Sequence, residues 1–536
     1  MRPISSSFYA DLPLSAGVRD IRVLVIEPGH IQTPLNVSIK IIDLDDPKRA
    51  TYTALSYTWG NQNRTKAIFR REEEVPVTPN LFNALQHLRS PSHPLTIWAD
   101  AVCINQEDDA ERSSQVAMMD DIYRKCEIVH IWLGCPERPL AAHHSPFALV
   151  EHFLDNKHFF ELPGYWWDGN TASWKCDTQD PDFRSMMDAF MLIHNSAWWN
   201  RSWTAQEAIL PKVALFRYGD WTMPLEDFWT CQLNRMRHLG NPCCIVAYQA
   251  VGNTPPRVSM DHVMGGVDCV KLVQDANSPY KTLLDVYRKF ANRKCFDPHD
   301  KIYSLLGFLR PEMPKIQPDY TRPVGEIYLE TFCMMIRERK GNLSTLLGEG
   351  FNSGKLGLPS WVPDFSGTYG APQYILTRSL DAYPLFSASG DRSGKLEIVD
   401  KKSLQVAGIC IDKIEARSKL IHSAWAPNPG EILEDWRRTC RRQGINISTT
   451  SRDKAFSLLL TGEMVEDLLT TKYHRLLEDD PDLLTDSQWQ RYMALESDGS
   501  SLSRAYRITV GCMVDRKTLV VTSRGFIGLS LSNVVI

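Results

Sequence analysis

The sequence predicts an α/β fold, in which a parallel β-sheet domain with helical crossovers and insertions precedes a helical region and a mixed α+β region. Three observations predict it. Short apolar runs bounded by turn residues alternate with stretches of helical period from about residue 20 to 240. Leu95–Val102 is nearly continuous in apolar residues, as a strand covered on both faces should be. A chain of 536 residues is also too long for one core.

Ile21–Ile26, Val37–Ile42 and Tyr52–Trp59 are expected strands, and Lys66–Val77 a hairpin. Thr78-Pro79 supplies an N-cap and a first-turn proline to a helix with Leu81, Leu85 and Leu88 on one face. After the Leu95–Val102 strand, Asp108 and Glu111 have the form of a capping box, and Val116, Met119, Tyr123 and Cys126 follow at helical spacing. Ile128–Leu133 returns as a strand. Strand, helix, strand, helix, strand gives parallel pairing with right-handed crossovers, and ligands bind beyond the carboxyl ends of such strands. Residues 136–200 read as an insertion with helices near 145–155 and 183–195. Val213–Tyr218 is an expected strand, 224–238 a helix, and helical periodicity dominates 280–340. LPSWVPDF, Leu358–Phe365, reads as an extended linker that packs Trp361. Strand-like runs at Leu396–Val399 and Val406–Ile411, a helical stretch over 430–495 and further strand-like runs complete the chain. The domain boundaries expected are 1–50 (strands packing on the next domain), 51–230 (sheet domain), 231–367 (helical) and 368–536 (mixed).

Composition narrows the function. The chain is 43% hydrophobic and 23% charged, ordinary for a globular protein. A net charge of −4 and no run of five like charges argue against nucleic acid or an anionic membrane as partner. The 13 cysteines show neither C-x2-C spacing nor a zinc-finger pattern, so reduced cytosolic thiols and no metal are expected. The N-terminus lacks a signal-peptide pattern and no apolar run reaches membrane-spanning length, which favours a cytoplasmic location.

Gly354-Lys355 and Gly390…Gly394-Lys395 fail as phosphate loops, because the glycine spacing is short by one and Leu follows each lysine. No dinucleotide fingerprint follows a strand, so no cofactor is called for. Cys103 has no local histidine to activate it and reads as a buried thiol. His143-His144 reads as a solvated loop.

Asp100, Asn105, Gln106, Arg112 and Gln115 leave a buried strand end together. Either they stabilise the loop through turns and caps, or they converge on a polar ligand. Ser56, Tyr57 and Trp59 end another strand and would share that rim. If Ser202 caps a helix, Trp203 and Glu207 lie on one face, where a carboxylate can stabilise a developing cation beside an indole. A surface glutamate beside a core tryptophan is the plainer alternative.

YTALSYTWG, the IWADAVCINQEDDAERSSQ…IWLG stretch and RSWTAQEA resemble the three blocks of the fungal heterokaryon incompatibility (HET) domain. IRVLVIEPG, DPHDKIYSLLGFL, DYTRPVGEIY and LPSWVPDF resemble its usual flanks, so the similarity covers about residues 8–367, with a weaker trace at Val520–Leu529. The resemblance implies self/non-self recognition and regulated cell death, and a TIR-like, flavodoxin-like sheet. Some TIR domains cleave NAD+ with a single Glu in a W-C-x-x-E pattern, to which the Trp203–Glu207 block is similar. It therefore implies Glu207 as the catalytic residue, with Arg201 and Trp203 of the same block joining the rim residues on the ligand, and NAD+ as substrate. Nicotinamide leaves a cationic glycoside as a neutral molecule, so one carboxylate suffices where ordinary glycosidases need two. Self-association or a second incompatibility protein is the expected partner. A non-catalytic module that assembles death complexes is the other reading. Related chains continue past the Gly525–Leu529 strand, so the C-terminal region here is expected to be incomplete.

Overall fold

The computed structural model describes residues 8–15, 17–60, 63–136, 145–239, 242–251, 255–274, 282–309, 316–346, 356–367, 396–407, 412–421, 429–442, 449–467, 472–475 and 517–531, with a few isolated positions. The His143-His144 pair, both Gly-Lys pairs and residues 476–500 lie outside them. The chain divides into two compact units, Met1–Glu338 with Asp364–Gly367, and Arg339–Pro363 with Thr368–Ile536.

The first unit is built on a seven-stranded sheet. Its elements in order are strands β1 (Asp20–Ile26), β2 (Val37–Asp43) and β3 (Thr53–Ser56), the hairpin β4 (Lys66–Arg70) and β5 (Glu73–Val77), and helix α1 (Pro79–Leu88). Next come β6 (Leu95–Trp98), α2 (Asp100–Cys103), α3 (Asp109–Val116), α4 (Met119–Lys125) and β7 (Val129–Gly134). Helix α5 (Ala148–Leu154), hairpin β8 (Tyr165–Asp168) and β9 (Ser173–Cys176), and α6 (Pro181–His194) form the inserted region. It is followed by α7 (Thr204–Ile209), β10 (Ala214–Tyr218), β11 (Trp221–Pro224), α8 (Leu225–Leu239), α9 (Pro242–Ala250) and α10 (Pro255–Gln274). Helices α11 (Leu283–Phe290), α12 (Asp300–Tyr303) and α13 (Val324–Glu338) close the unit.

The sheet runs β11-β10-β7-β3-β6-β1-β2. It is mixed, not wholly parallel. Strands β6, β3, β7 and β10 are mutually parallel, while β1, β2 and β11 pair antiparallel at the flanks. β1 and β2 are thus strands of the sheet itself. β1 is interior, and Ile21, Val23, Leu24 and Ile26 are all fully buried, whereas edge strand β2 is largely exposed.

Two expected strands end early. Tyr57–Trp59 have already left the sheet. Leu95–Val102 stops at Trp98, because the Asp100 carboxylate accepts the Ala101 amide at 2.8 Å and the Ala99 carbonyl accepts from Cys103, turning the chain into α2. Thr78 and Asp108 cap α1 and α3 as expected. Glu111 does not complete a capping box, because its carboxylate instead takes the Asn105 amide and both guanidinium nitrogens of Arg22. The long helix expected after Asp108 is two, α3 and α4, broken at Ala117-Met118.

The second unit places β12 (Leu396–Ile398) beside β13 (Leu404–Val406), and β15 (Met464–Asp467) beside β16 (Lys472–Arg475). A sheet of β14 (Ile414–Arg417), β17 (Lys517–Thr522) and β18 (Ile527–Leu531) shares a core with helices Pro429–Arg442 and Thr449–Thr461, centred on Trp436, Phe456 and Leu519. Trp361 of the expected linker is only half-buried and donates to the Lys402 carbonyl at 3.0 Å. The deeply packed residue of that stretch is Phe365, in the first unit, against Tyr287 and Tyr328.

Candidate functional site

From β3 the parallel order steps one way to β6 and the other way to β7, so the crevice at the carboxyl ends of these strands is a topological reversal point. Ser56, the last residue of β3, stands there. Its hydroxyl donates to the Glu207 carboxylate at 2.5 Å and accepts the indole N–H of Trp198 at 2.7 Å. Glu207 is carried by α7. Ser202 is not the N-cap of this helix. That position is Trp203, without a side-chain cap, and the Ser202 amide instead pairs with the Lys294 carbonyl at 2.8 Å. Thr204, at the first turn, ties α7 back to the Trp198 and Arg201 carbonyls.

Arg201 reaches across to the segment that follows β3, donating to the Tyr57 carbonyl at 2.5 Å and lying 3.8 Å from the Asp100 carboxylate. Trp59 donates its indole N–H to the same carboxylate at 2.9 Å, and the Arg201 guanidinium sits 5.8 Å from the Trp59 ring centre. Gln106 donates to the Asp100 main-chain carbonyl at 3.0 Å. Seven of the expected residues therefore meet in one network, with Ser56, Tyr57 and Glu207 buried and Trp59, Asp100, Gln106 and Arg201 partly buried around them. Trp203 is held on another neighbour, Asp300, which also accepts the Tyr320 hydroxyl at 2.8 Å.

Three expected residues are engaged differently. The Asn105 side chain closes a turn onto the Glu107 amide. Arg112 pairs with Asp109 at 3.0 Å and lies 4.1 Å over the Tyr320 ring. Gln115, 1% exposed, donates to the Asp20 carbonyl of β1. Asn105 thus shapes the loop, and Gln115 ties helix α3 to the sheet. Cys103 is a fully buried thiol whose pKa burial pushes up to about 12.

Electrostatics single out Glu207. It is 3% exposed, and burial raises its pKa to about 7, against the opposing pull of Arg201 and of the Ser56 hydrogen bond. Burial works against the Arg201 charge, but Asp100 and Glu207 outweigh it and keep the guanidinium protonated. The arrangement can thus hold a carboxylate near its titration midpoint at neutral pH between fixed cations. A small pocket beside it is lined by Trp59, Arg64, Thr78, Leu81 and Ala101, and its lining does not include Glu207.

Residues from well outside the three blocks complete the site. Arg293 donates to Thr204 at 2.7 Å and its charge acts on Glu207. Buried Lys301, in the DPHDKIYSLLGFL stretch, shapes the turn carrying Arg293 by donating to the Ala291 and Arg293 carbonyls at 2.9 and 2.6 Å. Nothing in local spacing distinguished Arg293 or Lys301 from surface cations; only their place in or near a family-like flank hinted at them. Among the described residues, one group brings three metal-type ligand atoms together: His158, His238 and Cys244, within 4.8 Å of one another. The cysteine spacing had pointed to none.

Comparison with known proteins agrees with the motifs. Residues 52–207 match the family model described as heterokaryon incompatibility protein (HET). The chain is 26% identical over 410 residues to "Heterokaryon incompatibility protein 6, OR allele" of Neurospora crassa, an alignment covering 67% of this chain and 59% of that protein. The chain therefore matches less than two thirds of that relative's length. No solved structure matches it. The family match opens at β3 and closes on Glu207, the two sides of the Ser56–Glu207 hydrogen bond, so the stretch that builds this site is the part of the chain that is similar to the heterokaryon incompatibility (HET) domain.

Proposed function

We propose that this chain is a protein of fungal self/non-self recognition whose HET domain hydrolyses NAD+ at the nicotinamide–ribose bond. The observation that carries the reading is a buried carboxylate, Glu207, on Ser56 at the carboxyl end of β3, where the strand order reverses. The parallel strands, numbered along the chain, stand in the order 2-1-3-4, as in flavodoxin-like sheets, which supports a TIR-like ancestry.

In the reaction the ribose C1′–N bond breaks and its electron pair passes to the pyridinium ring, releasing neutral nicotinamide. Water adds at C1′ and gives up a proton. Ionised Glu207 stabilises the oxocarbenium-like transition state, and Arg201 with Arg293 favours that ionised form. Arg201, Asp100 and Trp59 hold the ribose, phosphates and a flat ring. Because Glu207 is buried and hydrogen-bonded, the site opens on self-association or on engaging a second incompatibility protein. The same burial favours a second reading, in which the network only stabilises a non-catalytic module that assembles death complexes. No resident cofactor is required, and the reaction suits a cytoplasmic setting.

Nicotinamide release by concentrated full chain, with and without Glu207→Gln, decides between them. The enzyme reading predicts turnover falling by about 10²-fold or more in the variant at unchanged circular dichroism. Turnover unaffected by the substitution, or absent from the assembled wild type, sinks it.

A further inference from the structure

His158, between α5 and β8, His238, in the last turn of α8, and Cys244, on α9, are brought together from three segments of the first unit. The Cys244 sulfur lies 3.1 Å from His158 Nδ1 and 3.5 Å from His238 Nδ1. Bond lengths of tetrahedral zinc place neighbouring nitrogen and sulfur ligands about 3.6 Å apart, so both sulfur–nitrogen separations are within about half an ångström of that geometry, and all three donor atoms lie within 4.8 Å of one another. His238 turns its other nitrogen, Nε2, to the Asn156 carbonyl at 3.1 Å. That contact fixes the tautomer that leaves Nδ1 with its lone pair inward, as outer partners of metal-bound histidines do.

The backbone around His158 is equally constrained. Its amide donates to Glu161 at 2.5 Å, and its carbonyl faces His152 Nε2 at 2.9 Å. Its ring stacks on Phe160 at 4.7 Å, and Phe160 on Trp174 at 4.5 Å, which walls one side with apolar surface. Cys244 is fully buried and His238 is 4% exposed, while His158 is half-buried at the edge of the group.

We propose that His158, His238 and Cys244 form a zinc site that staples the inserted region to helices α8 and α9. Two imidazoles and a thiolate are a donor set suited to zinc. Binding displaces the thiol proton to solvent and leaves the fourth position to water. The site uses none of the Glu207 network, so it stands or falls independently of NAD+ hydrolysis.

The test is metal analysis of the purified full chain, followed by Co2+ titration of the metal-stripped protein. One equivalent of zinc is expected, and Co2+ should give a thiolate-to-cobalt charge-transfer band together with tetrahedral visible bands. Cys244→Ser should abolish the charge-transfer band, and His158→Asn, at a half-buried position, should weaken Co2+ binding at least tenfold. Failure of the stripped wild type to take up stoichiometric metal, or a cobalt spectrum without the thiolate band, leaves only a hydrogen-bonded thiol and overturns the proposal. So does full zinc content in folded Cys244→Ser. Should that variant not fold, the wild-type spectrum and His158→Asn still decide.

Discussion

Glu207 makes folding itself sensitive to pH. An ordinary glutamate titrates near 4.5, whereas burial holds this one near 7. Below about pH 4.5 the group is protonated in both folded and unfolded chains. Between the two values the unfolded chain releases the proton first, so the native state loses relative stability as pH rises, and the loss is complete above about 7. At about 1.4 kcal/mol per unit the effect is on the order of 3 kcal/mol. Glu207→Gln keeps the shape and the acceptor for Ser56 without the ionisation. Urea unfolding should therefore find the variant close to wild type at pH 5 and more stable by up to about 3 kcal/mol at pH 8; parallel pH profiles would refute it. The residue pattern placed Ser56, Trp59, Asp100 and Glu207 as candidates without showing that they meet. Arg293 and Trp198 were invisible as partners, since their roles depend on contacts across the fold.

Short helices are joined here by side chains from distant elements. Helix α4 has no side-chain N-cap of its own. With its amide oriented to satisfy both partners, Gln206 of α7 accepts the Asp120 N–H at 2.9 Å and donates to the Ser304 carbonyl at 3.2 Å. Gly307 lies against this junction, its carbonyl taking the Arg124 guanidinium at 2.6 Å. A methyl group at Gly307 would come within 2.8 Å of Asp120 Cβ and 3.0 Å of the Gln206 side chain. Gly307→Ala should thus cost about 1–3 kcal/mol in denaturant unfolding through overpacking. An unchanged midpoint would show that the junction is loose. This explains the glycine in DPHDKIYSLLGFL, whose other members lock to the following segment: Tyr303 pairs with the Asp319 main chain and His299 with the Arg322 carbonyl.

Across the whole chain, the boundary between the units is crossed more than once. Residues 339–363 belong to the second unit, yet Asp364–Gly367 return to the first. Phe365, fully buried, packs edge-on against Tyr287 at 4.7 Å and Tyr328 at 5.1 Å. Phe365→Ala should destabilise the first unit by about 3–5 kcal/mol. The thermal transition that carries the α11 and α13 signals should fall in temperature, and if it does not, the returning segment is dispensable.

Local periodicity and turn chemistry were enough for the capped helices α1 and α3, the strands around β1, β7 and β10, and the α/β class, because each depends on neighbours within a few residues. The order of the blocks carried the HET likeness. Where β3 and β6 stop, which flanking strands run antiparallel and where α4 begins depended on partners far along the chain. So did the burial that shifts Glu207 and the meeting of His158 with Cys244. Those outcomes are set by desolvation and by long-range hydrogen bonds, which have no period in sequence and exist only once the chain is folded.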